Sequence, residues 1–139
     1  DTLRKMKKNF VVIDFDPQII RSLISRKIPC IYGDAVNEEI LKRLNLHSAK
    51  MVISTIPDDE DSAFLIKYIK SRNPHIIVIV TSNYQKGALS LYENGADYVI
   101  VPHLLSGEVM SKSLIELLEN KKDIEDVKIK HIKHLKDDS

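Results

Sequence analysis

Cysteine, glycine and tryptophan are scarce in this 139-residue chain, which has one Cys, four Gly and no Trp. A single thiol, Cys30, excludes an internal disulfide framework and a four-thiolate metal site, and it fits a reducing compartment. Excess charge of either sign is lacking too, with 21 Lys and Arg against 20 Asp and Glu. That balance offers no clustered basic surface, so nucleic acid is not an expected partner. No apolar run approaches the roughly 18 residues of a membrane span, and no signal peptide precedes the first apolar run. The expectation is a soluble, cytoplasmic chain. What is present, 43% hydrophobic beside 29% charged residues, is a globular composition. At roughly 150 residues per domain it makes one domain with a sizeable core.

Five β-branched apolar runs recur, at Phe10 to Ile13, Ile28 to Tyr32, Met51 to Ile56, Ile76 to Val80 and Tyr98 to Val101. They are continuous, not alternating, which predicts strands buried on both faces. Helical spacing fills the intervals. Ile19, Ile20, Leu23 and Ile24 share one face, Ile40, Leu41 and Leu44 another, and Leu65, Tyr68 and Ile69 a third. Ala88, Leu91 and Tyr92 repeat the pattern, as do Val109, Met110, Leu114, Leu117 and Leu118. Asp16-Pro17 reads as a cap with proline at the first helical position, Ser106 as another cap, Gly95 as a C-terminal stop, and Pro74 closes the third helix. Strand and helix in strict alternation predict parallel βαβ units, hence an α/β doubly wound sheet over residues 1–119. Residues 120–139 differ: six lysines and six acids crowd Glu119 to Ser139, around Val127, Ile129, Ile132 and Leu135. They read as a charged C-terminal tail or linker, with a connector to another subunit or domain as the alternative.

In an open parallel sheet, ligands bind beyond the carboxyl ends of the strands. Those positions hold Asp14-Phe15-Asp16, Gly33-Asp34-Ala35, Ser54-Thr55-Ile56-Pro57-Asp58-Asp59, Thr81-Ser82 and Pro102-His103. Asp16 and Asp59 can be helix caps and Gly33 a turn. Asp14 precedes the cap and has no helix to start. An acid at the tip of an apolar strand suits an adenosine ribose, because its carboxylate accepts from the 2′- and 3′-hydroxyls together. In a dinucleotide fold that acid follows a G-x-G-x-x-G turn by about 20 residues. Counted back from Asp14, such a turn and its strand would fall upstream of Asp1, and none of the four glycines forms one.

These residues resemble a family. Phe10 to Pro17, Tyr32 to Ala35, Glu39-Ile40-Leu41 and Ala49 to Ile53 are similar to the nucleotide-binding domain of the RCK (TrkA-N, or KTN) family. Gly95 to Leu105 with Gly107-Glu108 resembles the branch fused to monovalent cation:proton antiporters. The resemblance covers roughly residues 1–118 and implies a Rossmann-like domain that binds NAD(H) or an adenine nucleotide (AMP, ADP or ATP). It implies a regulator, not an enzyme: a homodimer or larger ring governing a potassium channel or antiporter from the cytoplasmic face of the membrane. Residue by residue it assigns the ribose to Asp14, the place beside the adenine to Asp34 and Ala35, and the sugar and phosphate edge to Thr55 and Ile56, and it counts Phe15, Asp16 and Gly33 among the nucleotide-binding residues. Ser62 stands where many members have Asn. In the parental strand order 3-2-1-4-5-6, the strand upstream of Asp1 would lie between the first and third runs. Unpaired backbone edges are costly to bury, so the expectation is direct closure of those runs into the order 2-1-3-4-5.

Two other classes were weighed. A phosphoacceptor receiver shares the layout, but it needs a carboxylate at the third strand end, where Ser54-Thr55 stand, and a lysine before the proline, where Val101 stands. An NAD-dependent enzyme fragment lacks an assembled catalytic group: Cys30 lies in an apolar strand, and His103 reads as a loop residue, with a ligand or base as its alternative. His131 and His134 have only their i, i+3 spacing to suggest a metal, and none is expected. Asp58 to Asp61 read as helix-start acids, with a divalent-cation site between subunits as the alternative.

Overall fold

The structure, a computed structural model, describes residues 10–33, 37–42, 44–102 and 124–137. Strand β1 (Phe10–Asp14) is followed by helix α1 (Pro17–Ser25), β2 (Cys30–Tyr32), the short α2 (Glu38–Lys42) and β3 (Met51–Ser54). Then come α3 (Asp59–Arg72), β4 (Ile77–Thr81), α4 (Gln85–Glu93), β5 (Tyr98–Ile100) and α5 (Ile124–Asp137). The expected Asp34, Ala35, His103 and Ser106, and the helical pattern from Val109 to Leu118, lie outside the described residues.

All five strands are parallel, in the order β2-β1-β3-β4-β5. The first and third runs do close directly on each other: Phe10 pairs with Met51, Val11 with Val52, Val12 with Ile53 and Ile13 with Ser54. Period-two alternation sends the side chains to two faces. One face carries Val11, Ile13, Val52, Val78, Val80 and Val99 against Leu41 of α2, Leu65 and Ile69 of α3, and Leu91 of α4. The other carries Phe10, Met51, Ile53, Ile77, Ile79 and Tyr98, with Leu23 of α1 beside them. Both faces of β3 and β4 are buried, as continuous apolar runs require.

One expectation needs correction, and one helix is more open than its neighbours. The second strand is not buried on both faces: Cys30–Tyr32 is half-buried to exposed, because it is an edge strand with β1 as its one neighbour. Helix α1 buries none of its residues, and Ile19 and Ile24 are 43% and 62% exposed.

The predicted punctuation is present. Asp16 caps α1 by accepting the Gln18 N–H at 2.9 Å, with Pro17 opening the helix. Gly95 follows α4 at φ +112°, a left-handed conformation that favours glycine. The charged stretch 120–139 contains α5, which packs on α4; its Leu135 is fully buried in the first core cluster.

Candidate functional site

The carboxyl ends of β1, β2 and β3 lie side by side, and the register brings six of the expected residues together: Asp14, Phe15, Asp16, Gly33, Thr55 and Ile56. Asp14 closes β1 with only 5% of its surface exposed. Its Oδ1 accepts the backbone N–H of Asp16 at 2.7 Å, and its Oδ2 accepts the Thr55 hydroxyl at 2.6 Å. Such charge-assisted bonds offset the cost of burying a carboxylate. Thr55 is tied to β1 a second time, its backbone N–H reaching the Ile13 carbonyl at 2.9 Å. A carboxylate offers about four lone-pair positions. Among the described residues two are occupied, which leaves two for a pair of neighbouring hydroxyls.

Gly33 packs against this corner. A Cβ on it would stand 3.3 Å from both Ile56 Cγ1 and Phe15 Cβ and 3.4 Å from the Asp14 carbonyl carbon. A larger residue would therefore push on three of the site's members at once. Ile56 is buried, and its backbone is held by Ser54 and Ser62, neither of them among the residues expected to bind the nucleotide. Ser54 Oγ accepts its N–H at 3.3 Å, and the Ser62 hydroxyl donates to its carbonyl at 3.4 Å. Small polar residues amid apolar neighbours were the available signal. Phe15 is 45% exposed and offers a flat apolar surface beside Asp14. Asp16 is occupied by its cap, the structural alternative weighed for it.

Farther along the same edge, the acidic run starts α3. Asp58 caps the helix by accepting the Asp61 N–H at 3.0 Å. Asp59 leans over the first turn of α4, its Oδ2 3.3 Å from Ser82 Oγ and just 2.0 Å from where a Cβ on Gly87 would stand. Its Oδ1 is buried with no hydrogen-bond partner among the described residues. Among those residues no cluster of three His, Cys, Asp or Glu side chains could hold a metal ion. Cys30 is partly buried with Sγ 4.0 Å from the Ile20 carbonyl, and burial raises its thiol pKa, which disfavours the nucleophilic thiolate.

His131 lies away from this edge. It bonds to the Tyr92 hydroxyl and stacks on the Tyr98 ring at 4.9 Å, while the same Tyr92 oxygen accepts the Val99 N–H at 3.0 Å. Burial lowers its pKa, with neighbouring His134 adding to the effect, and burial likewise holds the Tyr92 phenol well above its ordinary range.

Residues 1–102 match the TrkA-N domain. The chain belongs to the TrkA-N family. It is 26% identical over 117 residues to potassium channel protein 1 of Methanocaldococcus jannaschii, covering 83% of this chain and 35% of that protein. It is 28% identical over 109 residues to the putative cation/proton antiporter YbaL of Escherichia coli, covering 78% of this chain and 19% of that protein. The chain thus spans well under half the length of these relatives. The crystal structure of the TrkA-N domain of ybaL superimposes with a TM-score of 0.61 at 26% identity, covering 84% of each chain. The GsuK channel bound to NAD shares the fold at a TM-score of 0.54 and 22% identity, over 85% of this chain and 24% of that one. GsuK has also been solved bound to ADP. No helix among the described residues is long and apolar enough to cross a membrane.

Proposed function

We propose that this TrkA-N domain is a nucleotide sensor. It holds the ribose of NAD(H) or of AMP, ADP or ATP on Asp14 and passes its ligand state, through a homodimer or larger ring, to a potassium channel or monovalent cation:proton antiporter. Phe15, Gly33 and the adjoining Asp34 and Ala35 receive the adenine, Thr55 and Ile56 face the sugar and phosphate edge, and Asp16 holds the loop through its cap. Residues 1–119 form the sensing unit, and 120–139, whose α5 packs on α4, connect it to its partners. The single observation that carries this reading is the Asp14 carboxylate, buried at a strand tip with half of its acceptor positions unused among the described residues. Family membership, the channel and antiporter relatives, and the NAD and ADP held by GsuK support it.

In this reading the domain works at the cytoplasmic face of the membrane and consumes nothing. Its ligand acts only through a difference in affinity between two packings of the subunits. Calorimetry with NADH, AMP, ADP and ATP tests the site. Asp14→Ala is expected to weaken the preferred nucleotide at least tenfold, about 1.4 kcal/mol, and unchanged affinity would return Asp14 to a structural role. Chromatography after prolonged incubation should recover the nucleotide intact; turnover that copurifies with the protein would make the chain an enzyme.

A further inference from the structure

Helix α2, the loop after it and the last turns of α3 enclose a cavity of about 240 Å³. The loop leads into the start of β3 at Met51 and α3 leads into the start of β4 at Ile77, so the cavity lies at the amino edge of the sheet, opposite Asp14. Its floor is apolar: Leu41 is fully buried, and Leu46 and Tyr68 nearly so. Its rim carries the cations Lys42 and Arg72 together with His47, and no carboxylate lines it among the described residues.

The Arg72 guanidinium is placed over the Tyr68 ring, 4.7 Å from its centroid, and makes no ion pair among the described residues. Lys42 reaches Glu38 only at 3.9 Å, with both side chains about 60% exposed, a surface pair of little strength. The helix dipole explains cations in the last turns of α2 and α3. It does not explain His47, which lies outside both helices, nor an open apolar cavity among the three groups.

We propose that this cavity is a second binding site, for a small carboxylate on a compact apolar body. The carboxylate would lie between Lys42 and the planar fork of Arg72, which suits two-oxygen recognition, and the body would rest on Leu46 and Tyr68. The volume is below the roughly 300–1,000 Å³ of pockets for drug-sized ligands, which sets the size class. An apolar floor distinguishes this ligand from bare phosphate, which would leave that surface uncovered.

Amide chemical shifts of the isotopically labelled protein, titrated with benzoate, isosteric neutral benzamide and inorganic phosphate, test the proposal. Benzoate is expected to give saturable shifts in residues 41–47 and 68–72, with benzamide and phosphate each at least tenfold weaker. Arg72→Gln, an exposed change whose fold is verified by its own spectrum, should weaken benzoate at least fivefold. The proposal is overturned if benzamide or phosphate binds as well as benzoate, if Arg72→Gln leaves the affinity unchanged, or if the shifts fall at the Asp14 edge.

Discussion

The two edges of the sheet are built alike and finished differently. Both β2 and β5 are three-residue strands with a single neighbour in the sheet. At the β5 edge Tyr98, Val99 and Ile100 are all buried, α4 buries Ala88, Leu91 and Tyr92, and α5 adds Leu135. At the β2 edge the strand is half-buried to exposed, and none of α1's residues is fully buried despite its aligned isoleucines. Burial at an edge therefore comes from the helices laid over it, not from the apolarity of the strand. The candidate site takes Gly33 and Phe15 from the lightly covered side and Thr55 and Ile56 from the packed centre. Local opening is cheapest where few apolar contacts are made, so a ligand at Asp14 sits where it can order a loose edge against a rigid one.

The largest effect expected from this contrast is in stability. Leu91→Ala, in the packed edge, should cost about 2–5 kcal/mol, whereas Ile24→Ala on the open face of α1 should stay within about 0.5 kcal/mol. Urea unfolding of the two variants measures both, and equal losses would break the comparison. Next comes Tyr92→Phe. It removes the oxygen that accepts the Val99 N–H and bonds to His131, leaving a buried backbone donor unpaired at a cost of about 1–3 kcal/mol. The same unfolding experiment reads it, and a neutral result would mean that water replaces the hydroxyl.

The smallest effect is a pH dependence of α5. The Tyr92 oxygen already accepts the Val99 N–H, so its own proton is free to go to Nδ1 of a neutral His131 ring. Tyr92 and Tyr98 face the imidazole from α4 and β5, while His134 on its own helix opposes its protonation and Lys128 lies over the Tyr92 ring. With its pKa lowered by burial, folded His131 binds a proton less readily than the unfolded chain does. The latch is therefore at full strength above the ordinary histidine value of 6.5 and weakens as pH falls through the lower folded value. Hydrogen exchange of residues 128–137 should quicken from pH 7.5 to pH 5.5, once corrected for the intrinsic rate, and His131→Gln should flatten the difference. Protection that grows in acid would contradict the assignment.

Much of this was legible in local sequence. The β-branched runs located the strands, the cost of an unpaired interior edge pointed to the β1–β3 closure, and Asp16-Pro17 announced the start of α1. The latch was not legible. Six lysines and six acids hide the face made by His131, Ile132 and Leu135, and the partner of His131 on α4 is 39 residues away. The Asp14–Thr55 bond likewise joins residues 41 apart, and only the strand register brings them together. The exposure of β2 depends on which helix covers it, a tertiary fact that an apolar run cannot reveal.

The central claim, that Asp14 receives a nucleotide ribose, is tested most directly by a crystal structure of the domain with ADP. The account predicts both ribose hydroxyls within about 3.2 Å of the Asp14 carboxylate oxygens, with the adenine beside Phe15 and Gly33. ADP bound elsewhere, or with its ribose turned to solvent and Asp14 still held only by Asp16 and Thr55, would contradict it.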